Sequence, residues 1–290
     1  MTAATTTTTT TATTTARRAT LRRAALYAVL TVLLLVFTGP FLWALSSSFK
    51  RRGDIFDYPP SLLPSPPTLA SYRSLLDQQP FGRWFLVSTV IALVATALSV
   101  LVCALAGYAF AKFRFAGRRL LFNVMFSSLS IPFAVILVPL FVIVVKSGLG
   151  NPWFALIVPW VAPAFGIFMM QQYTIQSVPD EVLEAARIDG CSELRIFVRI
   201  VLPLLRPAIG ALAVWTFLQS YNSFLWPLVI VSDSSQATLP LGLQTLFGVE
   251  RRQYDLVMAG SVLAVLPTVA VFVLLRKQLL DGLSTGAVKG

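Results

Sequence analysis

The sequence predicts an all-α membrane protein with six transmembrane helices, and three observations lead to that fold class. Apolar runs of about 20 residues recur along the chain, the length at which a helix crosses a bilayer. Hydrophobic residues make up 56 % of the 290, with a mean hydropathy of +0.77. Only 12 % are charged, against roughly 25 % in a soluble domain. A chain in hydrocarbon must satisfy its own backbone polar groups, which a helix does within one segment.

The elements follow in order. Residues 1–23 form a Thr/Ala-rich tail ending in Arg17, Arg18, Arg22 and Arg23. Its low complexity predicts a disordered cytoplasmic segment. Residues 24–290 form the transmembrane domain, opened by an apolar stretch from Ala24 to Leu45. A basic region before an apolar one also describes a signal peptide, and Ala44-Leu45-Ser46 faintly resembles a cleavage site. The stretch exceeds the core of about 7–15 residues typical of such peptides, so it is read as a retained first span. Later spans are expected at Trp84–Ala111, Leu120–Val145, Pro152–Tyr173, Ala208–Val231 and Leu256–Leu275. Trp43, Trp84, Trp153 and Trp226 fall near predicted ends, where an aromatic belt would place them. Pro132, Pro139, Pro159, Pro163, Pro227 and Pro267 lie inside spans, and each removes a backbone donor and can kink its helix.

Charge orients the bundle and removes several functions. With the amino terminus cytoplasmic, most of the 23 Lys and Arg residues fall on the inside, which predicts both termini there. Lys50-Arg51-Arg52 is the exception, and charge alone does not explain it. The net charge of +11 is read as this topological signal. No basic-aromatic surface survives between the spans, so nucleic acid is not an expected partner. There is no histidine, and Cys103 and Cys191 are too far apart in sequence to indicate a metal site or a disulfide framework. The predicted spans contain no Asp, Glu, Lys or Arg, which argues against a proton relay or a paired-carboxylate hydrolase.

Between the fourth and fifth spans lies SVPDEVLEAARIDGCSELRIFVRIVLPLLRP, from Ser177 to Pro207. Local chemistry reads two short helices broken by a turn. Ser177 can cap the first, Pro179 suits its opening turn, and Asp180 and Glu181 complement the dipole there. Asp189-Gly190 ends it, because glycine tolerates the left-handed conformation of a helix stop. Ser192 can cap the second. Val182, Leu183, Ala186 and Ile188 offer an apolar surface, and Glu184, Arg187 and Asp189 offer charge. Glu184-Ala185-Ala186, then Gly190 after three residues, then Ile200-Val201-Leu202-Pro203 after nine more, resembles the EAA loop of binding-protein-dependent ABC importer permeases. Ser48-Phe49-Lys50, Gly107-Tyr108-Ala109-Phe110-Ala111, Tyr221-Asn222-Ser223-Phe224-Leu225-Trp226-Pro227 and the ending Gly282–Gly290 look like the carbohydrate permeases related to the shorter subunit of the maltose importer. Cys191 stands where that family usually has Ala, and Tyr221 where it often has Trp.

The resemblance implies a type I ABC importer permease fold in a bacterial cell membrane, and a non-catalytic subunit without a cofactor of its own. No G-x-x-x-x-G-K-[ST] segment is present, so ATP and Mg would be bound by a partner ATPase. The implied partners are a second permease, an ATPase dimer, an external substrate-binding (lipo)protein, the lipid bilayer and a sugar. A glycerophosphodiester or glycerol phosphate is an alternative cargo, since those permeases closely resemble sugar permeases, and a stand-alone membrane channel is the alternative from another class. The loop at about 177–203 would dock on the ATPase through Glu184, Ala185, Ala186, Asp189, Gly190 and Pro203. The tail would reach the ATPase interface through Gly286, Lys289 and Gly290. Gln219, Tyr221, Asn222 and Trp226, with the hydroxyls and amide of Asn123, Ser127, Ser128 and Ser130, are candidate pathway residues because sugars need hydrogen-bonding groups beside aromatic faces. Ser and Asn also pack helices together in membranes. The outer loop Ser232–Asp255, with Asp233, Glu250, Arg251, Arg252 and Asp255, would touch the binding protein or act as a simple connector.

Overall fold

A computed structural model describes residues 9–148, 152–248 and 253–287, and every regular element in them is helical. In chain order the α-helices are α1 (Thr9–Ser48), α2 (Ala70–Gln78), α3 (Phe81–Lys112), α4 (Arg118–Ser127), α5 (Phe133–Lys146), α6 (Pro152–Ile157) and α7 (Ala164–Ser177). They continue with α8 (Asp180–Ile188), α9 (Glu193–Ile196), α10 (Leu202–Leu204), α11 (Arg206–Tyr221), α12 (Leu225–Ile230), α13 (Leu239–Thr245) and α14 (Tyr254–Ala287). The helix of α1 reaches back to Thr9, so part of the stretch expected as a disordered tail continues the helix begun by the apolar run.

Arg22–Ser48, Phe81–Lys112 and Tyr254–Gln278 are long and apolar enough to cross a membrane. Two further expected spans are bent pairs, and a third bent pair joins the expected loop to the start of the expected Ala208–Val231 span, giving three to six candidate crossings. Arg118–Ser130 and Phe133–Lys146 meet at 114°, Pro152–Trp160 and Ala164–Ser177 at 40°, and Glu193–Leu204 and Arg206–Tyr221 at 79°. Proline accounts for the first break: Pro132 lacks a donor and holds Ile131 extended (φ −90°, ψ 117°). At the third, Pro203 and Pro207 flank the corner at Leu205. Pro139 and Pro267 are accommodated inside α5 and α14. Leu120, Val138 and Leu274 are 68 %, 66 % and 75 % exposed. A surface this apolar fits hydrocarbon and not water.

The chain divides into two compact units. One holds the chain up to Arg73 together with Tyr254–Val262, and it resolves the awkward cationic cluster. Lys50 is buried, its ammonium donating to the Ser61 carbonyl, while Arg52 lies 3.8 Å from Asp255. Ser48 shares a hydrogen bond of 2.7 Å with the Tyr72 hydroxyl, and Phe56 meets Tyr254 edge to face. The Ser48-Phe49-Lys50 motif therefore folds the connector back on itself.

The other unit holds Ser74–Gln253 and α14 from Leu263. Its centre is α3, packed along α7 and α11. The α3–α7 approach is closest at Gly107, where an added Cβ would lie 2.6 Å from Met170 Cβ and 2.7 Å from the Gln171 backbone nitrogen. Trp84 and Trp226 are not belt residues. Both are buried, their indole N–H groups donating at 2.9 Å to the Ser234 and Ala155 carbonyls. Each broken or looped segment leaves a carbonyl needing a donor, and a buried indole supplies one with a large apolar body.

Candidate coupling loop and pathway residues

The candidate coupling loop is built on a local stop signal. α7 runs through Ser177, so Ser177 closes that helix and does not cap the next; Pro179 holds the N-cap position of α8 without a side-chain bond. α8 ends in a Schellman motif: Cys191 N–H donates to the Ala186 carbonyl and Gly190 N–H to the Arg187 carbonyl, each at 3.0 Å. Gly190 adopts φ +76°, the left-handed geometry this motif requires. Ser192 stands at the N-cap of α9, also without a side-chain bond. Beyond α9 the chain widens into a π-helical turn over Phe197–Val201 before Pro203 and the 79° corner. Such widened turns absorb a residue that the regular ladder cannot satisfy.

The faces of α8 sort its residues. Leu183 and Ala186 turn inward, joining Tyr108, Met170, Val178, Phe197 and Leu212 in one apolar cluster. Ala186 therefore serves this chain's own core, and it is Ala185 that faces outward beside Glu184 and Asp189. Ile188 is 86 % exposed and Leu194 70 %, an apolar surface that this chain leaves uncovered. Pro203 is exposed at the foot of the corner.

Polar contacts join the loop to the end of α3. Lys112 Nζ donates to Asp180 Oδ1 at 2.6 Å. Arg187 Nε donates to Glu193 Oε1 at 2.7 Å, and Tyr108 Oη to Glu193 Oε2 at 3.2 Å. The Lys112 hydrogen bond holds the Asp180 carboxyl below the ordinary aspartate range, and the Glu193 hydrogen bond raises the Arg187 guanidinium further. Sequence reasoning missed Tyr108, Lys112, Asp180 and Glu193 as a group. A separation of 68 or 85 residues leaves no periodic signal, and only the resemblance at Gly107–Ala111 marked the place.

The opposite end of α3 also carries a loop. Trp84 holds Ser234, and Ser88 Oγ accepts from Leu239 N–H at 2.6 Å. Gly242 lies so close to the Trp84 ring that a Cβ would fall 2.2 Å from it. Asp233 accepts from Ser235 N–H and Oγ at 2.8 and 2.7 Å, which lowers its carboxyl pKa. The first half of the outer loop is thus folded onto α3 and is not a loose connector; Glu250, Arg251 and Arg252 lie outside the described residues.

The four residues named for the pathway separate into two pairs. Tyr221 and Trp226 are buried and use their polar atoms on the Ala264 and Ala155 carbonyls, so both brace helices instead of lining a surface. Gln219 and Asn222 are exposed at the end of α11, where the helix breaks before α12, and Asn222 Nδ2 donates to the Leu218 carbonyl at 2.9 Å. The expected fifth span, Ala208–Val231, is interrupted at this polar break. Asn123, Ser127, Ser128 and Ser130 are exposed on α4 and the turn after it, with Ser128 Oγ returned to the Met125 carbonyl. Gly286 lies in the last turn of α14, while Lys289 and Gly290 fall outside the described residues.

The described residues thus form a helical membrane bundle with an amphipathic loop, α8 and α9, between α7 and α11. A family model described as binding-protein-dependent transport system inner membrane component matches residues 100–284, and the chain belongs to that family. It is 37 % identical over 246 residues to the arabinooligosaccharides transport system permease protein AraQ of Halalkalibacterium halodurans, covering 84 % of this chain and 86 % of the relative. It is 34 % identical over 267 residues to the lactose transport system permease protein LacG of Rhizobium radiobacter, covering 91 % and 95 %. Its fold matches a chain in the crystal structure of a bacterial ABC transporter involved in the import of alginate, with a TM-score of 0.77 at 20 % identity over 91 % of this chain and 98 % of that one. The protein is accordingly a non-catalytic inner-membrane permease subunit of an ABC transporter, for which no cofactor is expected. Membership implies a binding protein and an ATPase as partners.

Proposed function

We propose that this chain is one of two homologous permeases that together carry a sugar, delivered by an external binding protein, across the membrane in six spans with both termini cytoplasmic. The observation that carries the reading is the division of α8: Leu183 and Ala186 are locked into the core while Glu184, Ala185 and Ile188 are turned out. That face offers an ATPase dimer one carboxylate, one small residue allowing close approach and one uncovered apolar side chain. Motion of the ATPase pair then tilts the bundle and alternates access. The C-terminal segment through Gly286, Lys289 and Gly290 adds a second contact to the ATPase. The cargo class is supported by the arabinooligosaccharide and lactose relatives.

Reversing the charge at Glu184 tests the coupling. With Glu184→Lys, ATP-driven uptake by the reconstituted transporter should fall at least tenfold while the chain still inserts and purifies normally; unchanged uptake would remove the docking role. The sugar itself is read by screening the binding protein, and retention of glycerol 3-phosphate instead of saccharides would replace the cargo assignment. For the pathway, Gln219→Leu and Asn222→Leu should each raise KM several-fold without altering basal ATP hydrolysis. Unaltered uptake kinetics in both would exclude them.

A further inference from the structure

We infer that α3 is the strut through which the coupling loop and the opposite loop communicate, and that Lys112, Asp180, Tyr108 and Glu193 are the positioning residues that attach the coupling loop to it. The inference rests on the coupling reading above. Tyr108 and Lys112 are one turn apart and so share a face of α3. They grip α8 at its two ends: Lys112 takes Asp180 at the first residue, and Tyr108 takes Glu193, itself bound by Arg187 of the last turn. One attachment would let α8 pivot, whereas two fix its direction as well as its position. Leu183 and Ala186 fill the space between them.

The covalent route from α8 into the bundle is poorer. It passes through Val178 and Pro179, both extended (ψ 101° and 142°), which interrupts the helix from α7. By contrast α3 is unbroken over 32 residues, about 48 Å at 1.5 Å per residue. At its far end Trp84 and Ser88, again one turn apart, hold Ser234 and Leu239 of the opposite loop. A displacement of α8 therefore reaches that loop through one rigid element with paired attachments at each end. Thermodynamic linkage requires the reverse transfer as well, so a binding protein seated on the opposite loop acts on the ATPase side through the same helix.

Asp180 is 73 % exposed at its side chain, so its half of the ion pair can be changed at little cost to folding, whereas Lys112 is 9 % exposed and Tyr108 is buried. Asp180→Lys and the ring-conserving Tyr108→Phe are therefore the variants that break the linkages with least disturbance of the bundle. In proteoliposomes holding the complete transporter, substrate moved per ATP and binding-protein stimulation of ATP hydrolysis would be measured for Lys112→Glu, Asp180→Lys, their double swap, and Tyr108→Phe. Each single reversal should lower both quantities about tenfold, within the usual range of allosteric coupling, and the double swap should recover to within about threefold of the parent. Tyr108→Phe keeps the ring and removes one hydrogen bond; it should lower both quantities several-fold, and it carries the test if a reversal impairs assembly. Unchanged ratios in the singles and in Tyr108→Phe, or a double swap no better than the singles, would overturn the strut. Glu184→Lys separates the two ideas: its loss of uptake beside unaffected strut variants sinks this inference alone, whereas normal uptake in Glu184→Lys sinks the coupling reading and the strut with it.

Discussion

Substituting Gly107 with leucine should abolish accumulation of folded protein, and Gly107→Ala should destabilise it by about 1–3 kcal/mol, the usual cost of overpacking. An added Cβ would stand 2.6 Å from Met170 Cβ and 2.7–2.8 Å from the Gln171 nitrogen and Met170 carbonyl carbon. Those atoms belong largely to the backbone of α7 and cannot rotate away, so the helices must separate. Separation opens the cluster that holds Leu183 and Ala186, and the loop carrying α8 loosens with it. Gly82, at the other end of α3, has nothing within 4 Å of its added Cβ. Gly82→Ala should be neutral or stabilising by up to about 1 kcal/mol through helix propensity. Thermal unfolding of the purified variants in one detergent measures both; equal stability of Gly107→Ala and the parent would mean the α3–α7 contact is looser than described.

Replacing Gly190 with proline should reduce ATP-driven uptake to background while leaving membrane insertion unchanged. Here the cause is conformational, since nothing lies within 4 Å of an added Cβ. Proline holds φ near about −65°, whereas Gly190 requires +76°, and it also removes the N–H that donates to the Arg187 carbonyl. The end of α8 would unwind, moving Arg187 and Glu193 away from Tyr108 and turning Glu184 from its outward position. Gly190→Asn should be much milder, because asparagine visits the left-handed region with less strain. An ordering of glycine, asparagine, alanine and proline in falling uptake is the expected series. Equal activity of the alanine and asparagine variants would show that the positive φ is not what the loop needs.

Particular residues show how far the pattern was readable. The stop at Gly190 was legible because Asp-Gly after an apolar-periodic segment has a local mechanism. Ser177 was misread because α7 extends further than its last apolar turn, leaving the cap position to Pro179. Ala185 and Ala186 are equivalent in sequence, but the helical angle between neighbours puts one outside and the other in the core. Trp226 and Tyr221 looked like sugar-facing aromatics, yet aromatic rings also brace broken helices when a carbonyl needs a donor. Trp84 and Trp226 near predicted span ends likewise matched a lipid belt until burial excluded it.

By itself the sequence determined that this chain is helical and membrane-embedded, roughly where its apolar segments lie, and that a turn-broken amphipathic loop separates two of them. Those features depend on composition and on contacts within a few residues, which local chemistry dictates. Only the tertiary structure decided which residues of that loop face outward, that two expected spans are bent by 114° and 40° and the chain turns by 79° just before a third, and that α3 holds a loop at each end. The physical reason is distance along the chain: Lys112 with Asp180, Tyr108 with Glu193, and Trp84 with Ser234 and Gly242 are joined by packing across 68 to 158 residues. No periodicity or capping rule extends that far.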